Sequence, residues 1–317
     1  MRWLLIGLLF AIPPAWAQVT VHEYLLPSGL GVHDVWADPA VDGPVWFSAQ
    51  AAGQLGRLDP KTGKVELISL GEASAPHGVL VAADGSVWLA DGGQNAIVRV
   101  DPKTRDVKKW PLPGNRAYSN LNTGIFDKRG IYWFTGQSGI YGRLDPSSGE
   151  MGVFDAPKGV GPYGIHATPD GVVYYASLAG SHIARIDAPT SNAVVIQPPT
   201  REQGARRVWS DSLGRIWVSE WNAGKLGRFD PKSGRWAEWK APGRRPRVYA
   251  VYVDERDKVW ASEWSAQVML RFDPVTEKFE TFKSSSSDPN VRQIHGRKGE
   301  VWTPESGADK IVVYRFR

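Results

Sequence analysis

Two sets of residues combine reactive side chains with a fixed spacing in this 317-residue chain. The first set lies about eleven residues ahead of a recurring strand aromatic and reads His33, His77, Asn122, Tyr163, Arg206, Tyr249 and Arg292. Every member is polar or polar-tipped, where a position facing only core would read Val, Ile or Ala. His33 and His77 are candidate catalytic acid–base groups, because a neutral imidazole near pH 7 is a suitable base. Asn122, Tyr163, Arg206, Tyr249 and Arg292 are candidate ligand-binding groups, and the two arginines can clamp an anion through paired N–H bonds. The second set lies three residues after the same aromatic and reads Ala49, Asp91, Gly136, Ser177, Glu220, Glu263 and Glu305. Glu220, Glu263 and Glu305 are candidate oxygen ligands for Mg²⁺ or Ca²⁺. The competing reading pairs them with Arg206, Arg292 or the nearby Arg244, Arg245 and Arg247.

Composition removes several chemistries. With no cysteine there is no disulfide, Cys-ligated zinc, iron–sulfur cluster or thiolate nucleophile. No G-x-S-x-G, H-E-x-x-H, P-loop or dinucleotide-binding glycine pattern occurs. The net charge of +5 is spread along the chain without a basic block, which argues against a nucleic-acid partner. His22, His182 and His295 are expected at the surface or in loops.

The elements that must position the two sets come from an internal repeat. A unit of the form apolar-Gly-Arg-apolar-Asp-Pro-x-Ser/Thr-Gly recurs at Asp59, Asp101, Asp145, Asp187, Asp230 and Asp273, with spacings of 42 to 44 residues. The strand aromatics Trp46, Trp88, Trp133, Tyr174, Trp217, Trp260 and Trp302 keep the same beat. Each unit reads as four short strands. In the second unit these are His77–Ala82, a tight turn at Asp84-Gly85, Ser86–Ala90, Ala96–Val100 and, after the Asp101-Pro102 turn, Asp106–Leu112. Seven such units predict an all-β, seven-bladed β-propeller with four-stranded antiparallel blades. The periodic Trp residues fill the space between blades.

The last unit has no outer strand of its own. The outer-strand pattern appears instead at Val21–Pro27, so the N-terminal strand is expected to pair with residues 311–316 and close the ring. In a propeller, the start of the innermost strand and the end of the second lie on one face of the disc, so both sets should collect at one mouth of the central channel. The turn aspartates lie on the opposite face and are expected to serve the turns.

Residues 1–17 read as a cleaved signal peptide. Arg2 is the only charge before His22, an apolar run covers residues 3–12, and Ala15-Trp16-Ala17 supplies a cleavage site. The expectation is a single propeller domain over residues 18–317, monomeric, periplasmic or secreted, with no membrane span and a small-molecule or peptide ligand.

The repeat Gly56-Arg57-Leu58-Asp59-Pro60, with Pro76-His77-Gly78-Val79 and Asp84-Gly85-Ser86-Val87-Trp88-Leu89, resembles the streptogramin B lyase (virginiamycin B lyase) family over essentially the whole mature chain. That resemblance implies elimination at an ester of a cyclic depsipeptide, without water. In it a Mg²⁺ polarises the ester and a His removes a proton. The family's base is a His in a Pro-His-Gly motif opening the last blade. Here that stretch is Asn290-Val291-Arg292-Gln293-Ile294, and a guanidinium does not act as a base. The acidic metal ligand before that His aligns with Asn290, and a second substrate-facing His aligns with Tyr249. Glu305 has a counterpart, and Pro76-His77-Gly78 keeps the motif but in blade two.

Two expectations follow. One is a metal-assisted lyase or hydrolase for an ester, lactone or cyclic peptide, with a base relocated to His77 or His33. The other is a non-catalytic binding propeller for an anionic small molecule, peptide or partner protein.

Overall fold

The computed structural model describes residues 18–316 apart from 115 and 117. The expected signal peptide therefore lies outside the described residues. Among the described residues every regular element is a strand, and the strands form seven four-stranded antiparallel sheets. Among the described residues no helix is long and apolar enough to cross a membrane.

Six blades are simple meanders of consecutive strands. In blade two the strands are Pro76–Val81, Val87–Asp91, Ala96–Val100 and Val107–Pro111, within about a residue of the boundaries read from the repeat. The innermost strands of successive blades contact one another around the axis. Blade seven is composite. Val19–Leu25 pairs with Lys310–Phe316, in register from Val19 opposite Phe316 to Leu25 opposite Lys310.

The second strand of each blade is buried along its whole length in blades one to six, because a sheet face lies on either side of it. Trp133, Trp217, Trp260 and Trp302 are fully enclosed. Buried indole N–H groups need acceptors. Asp127, Asp211 and Asp254, in the turn just before the strand, accept from Trp133, Trp217 and Trp260 at 2.8–3.0 Å. On the same face, Asp59, Asp101, Asp145, Asp230 and Asp273 each accept a backbone N–H from two residues on, at 2.8–2.9 Å.

Candidate functional site

Each innermost strand in blades one to six is interrupted at the same place. Pairing in blade one jumps from Val32–Ala49 to Val35–Phe47, so His33 and Asp34 together oppose the single residue Ser48. The same shift brackets His77-Gly78, Asn122-Thr123, Tyr163-Gly164, Arg206-Arg207 and Tyr249-Ala250. A two-against-one bulge breaks the alternation of side chains and re-aims them. Hydroxyl groups hold the bulges. Ser48 Oγ accepts Asp34 N–H at 3.0 Å and donates to the His77 carbonyl of the next blade at 2.6 Å. Ser219 does the same between Arg207 and Tyr249, at 2.9 and 2.6 Å. Two bulge positions carry glycine where blades approach closely: a Cβ on Gly164 would sit 2.7 Å from Arg207 Cα.

The bulges gather the first six residues of the first set at one pole, and Arg292, in the segment ahead of His295–Arg297, joins them without a bulge. The His33 and His77 ring centroids are 3.8 Å apart, and Asn122 Nδ2 lies 3.1 Å from His77 Nε2. The Tyr163 and Tyr249 hydroxyls are 2.6 Å apart, and Arg206 Nη2 donates to Tyr163 at 3.1 Å. The Arg206 guanidinium lies 3.4 Å from the Tyr249 ring centroid and 4.5 Å from that of Trp221. Arg292 lies over Trp264 at 5.0 Å, and its Nε donates to Ser306 at 3.1 Å. Neither Arg206 nor Arg292 has a carboxylate partner among the described residues, and both are half-buried.

Beneath this layer, Arg207 and Asp34 form a two-bonded ion pair across the axis, at 2.9 and 3.2 Å, joining blade five to blade one. Both side chains are buried. Asp34 also lies 2.8 Å from His33 Nδ1. A carboxylate contact alone would favour a charged His33. Burial, however, together with Arg207, Arg292 and Arg206, holds its pKa well below the usual value. The ring is therefore neutral: Nδ1–H donates to Asp34, and Nε2 keeps a lone pair. Burial likewise lowers His77, helped by His33 and the guanidiniums and opposed by Asp34. Burial opposes ionisation of Tyr163, but Arg206 and Arg207 outweigh it and hold the phenol below its ordinary value. Burial and Tyr163 push Tyr249 the other way.

Below the ion pair the channel narrows to a cavity of about 30 Å³. Trp36, His166 and Trp209 line it, with His295 stacked on Trp36 at 3.8 Å and His166 on Trp209 at 3.9 Å. His295 is thus buried in the channel, where it accepts Ala37 N–H at 3.1 Å, and not in a surface loop as its isolation in sequence suggested. His182 is also buried. His22 alone of these three is exposed.

Of the second residue set, Glu263 and Glu305 line one small pocket beside Trp264 and Pro289, and Glu220 is not part of it. Glu263 accepts three backbone N–H groups, from Arg247, Ser265 and Ala266, at 2.7–2.9 Å. Glu305 accepts the hydroxyls of Ser284 and Ser286, both at 2.6 Å. Asp91 holds Ser74, Ala75 and Gln94 in the same way. Each of these carboxylates clasps loops of its own neighbourhood, and among the described residues none forms an ion pair with the guanidiniums of Arg206, Arg244, Arg245, Arg247 or Arg292.

Glu220 is the exception. It is fully buried, and neither oxygen has a hydrogen-bond partner among the described residues. Burial, with a smaller effect from Glu238, pushes its pKa up to about 8. The folded state therefore keeps a proton that the unfolded chain releases above its ordinary carboxyl pKa. Stability contributed by the neutral form is complete at acid pH and is lost as pH rises towards 8, at about 1 kcal/mol per pH unit. Glu220→Gln should flatten that slope in urea titrations run from pH 5 to 8. An unchanged slope would place the charge elsewhere.

Among the described residues one trio of potential metal donors lies close together, His33, Asp34 and His77, with ligand atoms within 4.8 Å. It does not fit Mg²⁺ or Ca²⁺, which take anionic oxygens. The trio offers one carboxylate, Arg207 occupies both of its oxygens, and three guanidiniums surround it.

Fold and site together define a seven-bladed propeller with an axial pole of His, Tyr, Asn and Arg. The chain belongs to the virginiamycin B lyase family, whose profile matches residues 16–233 and 130–313. The selenomethionine form of Staphylococcus aureus virginiamycin B lyase superposes with a TM-score of 0.86 at 20% identity, covering 95% of this chain and 100% of that one. A streptogramin B lyase gives 0.85 at 21%, covering 94% and 98%. A catalytically inactive S. aureus virginiamycin B lyase with quinupristin gives 0.85 at 20%, covering 95% and 100%. At such identity the likeness is one of fold. Comparison with curated protein sequences found no match.

Proposed function

We propose that this exported propeller binds an anionic small molecule or peptide at the polar pole, with its carboxylate between Arg206 and Arg292. The observation that carries this reading is the pair of half-buried guanidiniums without a carboxylate partner, set against Tyr163, Tyr249, Trp221 and Trp264. A desolvated guanidinium without a counter-charge favours an anion from outside. Polygalacturonate and polyglutamate serve as carboxylate probes, with dextran as the neutral control. Titration calorimetry should show carboxylate binding that weakens with salt. Arg292→Ala should weaken it by roughly ten- to a hundredfold, the loss of a charged hydrogen-bonding partner. Unaltered affinity in that variant would reject the clamp.

A second reading adds catalysis, and the buried Asp34–His33 pair favours it. A carboxylate-oriented neutral imidazole beside a binding site is the arrangement of a general base. The family's elimination would then run with His33 or His77 in place of the base lost at Arg292.

A further inference from the structure

We propose that the ligand of the pole is an acidic peptide segment with several carboxylates, laid across the mouth from the axis outward on a track of five arginines. Arg206 and Arg292 take its innermost carboxylate, and Arg247, Arg244 and Arg245 take those that follow. The proposal rests on the anion-binding reading above and deepens it.

Four observations lead to it. First, the mouth in blades five to seven is charged one way. Arg206, Arg244, Arg245, Arg247 and Arg292 form no ion pair among the described residues. The carboxylates that could have balanced them are committed elsewhere: Glu263 and Glu305 accept loop N–H and O–H groups, and Glu220 is enclosed. Glu202 and Asp288, in the loops leading into blades five and seven, are two against five.

Second, the track is held in place before any ligand arrives. Arg206 and Arg247 lie 4.5 and 5.1 Å from the ring centre of Trp221, and Arg292 lies 5.0 Å from that of Trp264. The two indoles are 5.9 Å apart, so the inner three guanidiniums share one aromatic bed. The loop that carries residues 244–247 is pinned from blade six. Arg247 N–H donates to Glu263 at 2.7 Å, the Arg247 carbonyl accepts Trp264 N–H at 2.9 Å, and the Arg245 carbonyl accepts the Ser265 hydroxyl at 2.8 Å. Glu263 is thereby a positioning residue for the arginine loop. Cations fixed in advance lose less freedom on binding an anion.

Third, the ligand has to lie across the face. The Arg207–Asp34 pair spans the axis directly beneath, and the cavity below it is about 30 Å³, space for water only. A chain seated at the pole therefore continues outward, where Arg247, Arg244 and Arg245 are exposed. Fourth, the aromatic faces are taken. Guanidiniums cover Trp221 and Trp264, and Tyr249 stacks on Trp264 at 5.1 Å. A nucleobase or a sugar ring would need such a face free for stacking. Aspartate and glutamate side chains need none, and their flexible stems reach half-buried Arg206 and Arg292 as readily as exposed Arg247.

Titration calorimetry of the mature protein with capped glutamate peptides tests the track. A glutamate hexapeptide should bind at least about tenfold more tightly than a single capped glutamate, measured by competition, because each further carboxylate adds an exposed ion pair. Hexaglutamine should not bind. Arg244→Ala, Arg245→Ala and Arg247→Ala combined should weaken the hexapeptide by roughly ten- to fiftyfold, three such pairs together, and change capped glutamate by less than about threefold. Arg292→Ala should weaken both ligands. Glu263→Gln should weaken the hexapeptide and spare capped glutamate, a split that a general loss of stability would not produce. Circular dichroism checks folding, and if Glu263→Gln does not fold, the triple variant decides. Equal affinity for capped glutamate and the hexapeptide, or a triple variant that binds the hexapeptide unchanged, would overturn the track and leave the Arg206–Arg292 clamp standing. Tighter binding of polygalacturonate or oligothymidylate than of polyglutamate at equal charge would overturn the peptide class. Binding of none of them would remove both readings.

Discussion

Removing residues 18–27 is expected to lower the melting midpoint of the whole propeller by roughly 10 °C or more. The estimate takes about 5 kcal/mol for the lost pairing and packing and a few degrees per kcal/mol for a chain of this size. Val19–Leu25 pairs with Lys310–Phe316 along its full length. The segment also ties blade seven to blade one. Tyr24 is buried, stacks on Trp302 at 5.7 Å and donates its hydroxyl to the Pro60 carbonyl at 2.9 Å. Glu23 pairs with Lys310 at 2.9 Å, and Leu26 N–H donates to the Asp309 carbonyl at 2.9 Å. Without it, Lys310–Phe316 becomes an open, largely apolar edge, a template for aggregation. Calorimetry should show one cooperative transition moved down, with light scattering on unfolding. A midpoint equal to that of the intact chain would mean the ring closes by other contacts.

The second large effect is expected at the axial ion pair. Asp34→Ala leaves the buried Arg207 guanidinium without its counter-charge, which costs about 3–5 kcal/mol. Replacing both partners, Asp34→Leu with Arg207→Met, should return most of that loss, because paired desolvation disappears with the pair. Urea unfolding of the two singles and the double measures the coupling. If the double variant loses as much as the sum of the singles, the pair does not act as a unit. Asp34→Ala also frees His33 Nδ1–H from its partner, so the variant reports on orientation of the imidazole as well as on stability.

Both effects arise where blades meet, and the sequence revealed those junctions unequally. The clasp was legible because the outer-strand pattern at Val21–Pro27 fills the gap left by the last unit. The pole was legible because one position per repeat reads polar through His33, His77, Asn122, Tyr163, Arg206, Tyr249 and Arg292. Asp34 and Arg207 were not. In a regular strand, neighbours of pole residues face away, and only the bulge turns both members of each pair to the axis. A signal for it exists: Ser48, Thr135, Ser219 and Ser262, two residues after the strand aromatic, supply the hydroxyls that hold the bulges.

The periodic content of this protein, its seven blades, their strands, the Trp core and the ring of polar positions, was determined by the sequence itself. Repeats of about 43 residues express local hydrogen-bonding and burial rules that act within one blade. Only the tertiary structure decided which partner each charge finds. Asp34 meets Arg207 across 173 residues, Glu263 and Glu305 close on their own loops, Glu220 is left without a partner, and His295 enters the channel. The physical reason is range: blade-building contacts depend on neighbours along the chain, while the chemistry of an axial pole depends on side chains that meet only after the ring has closed.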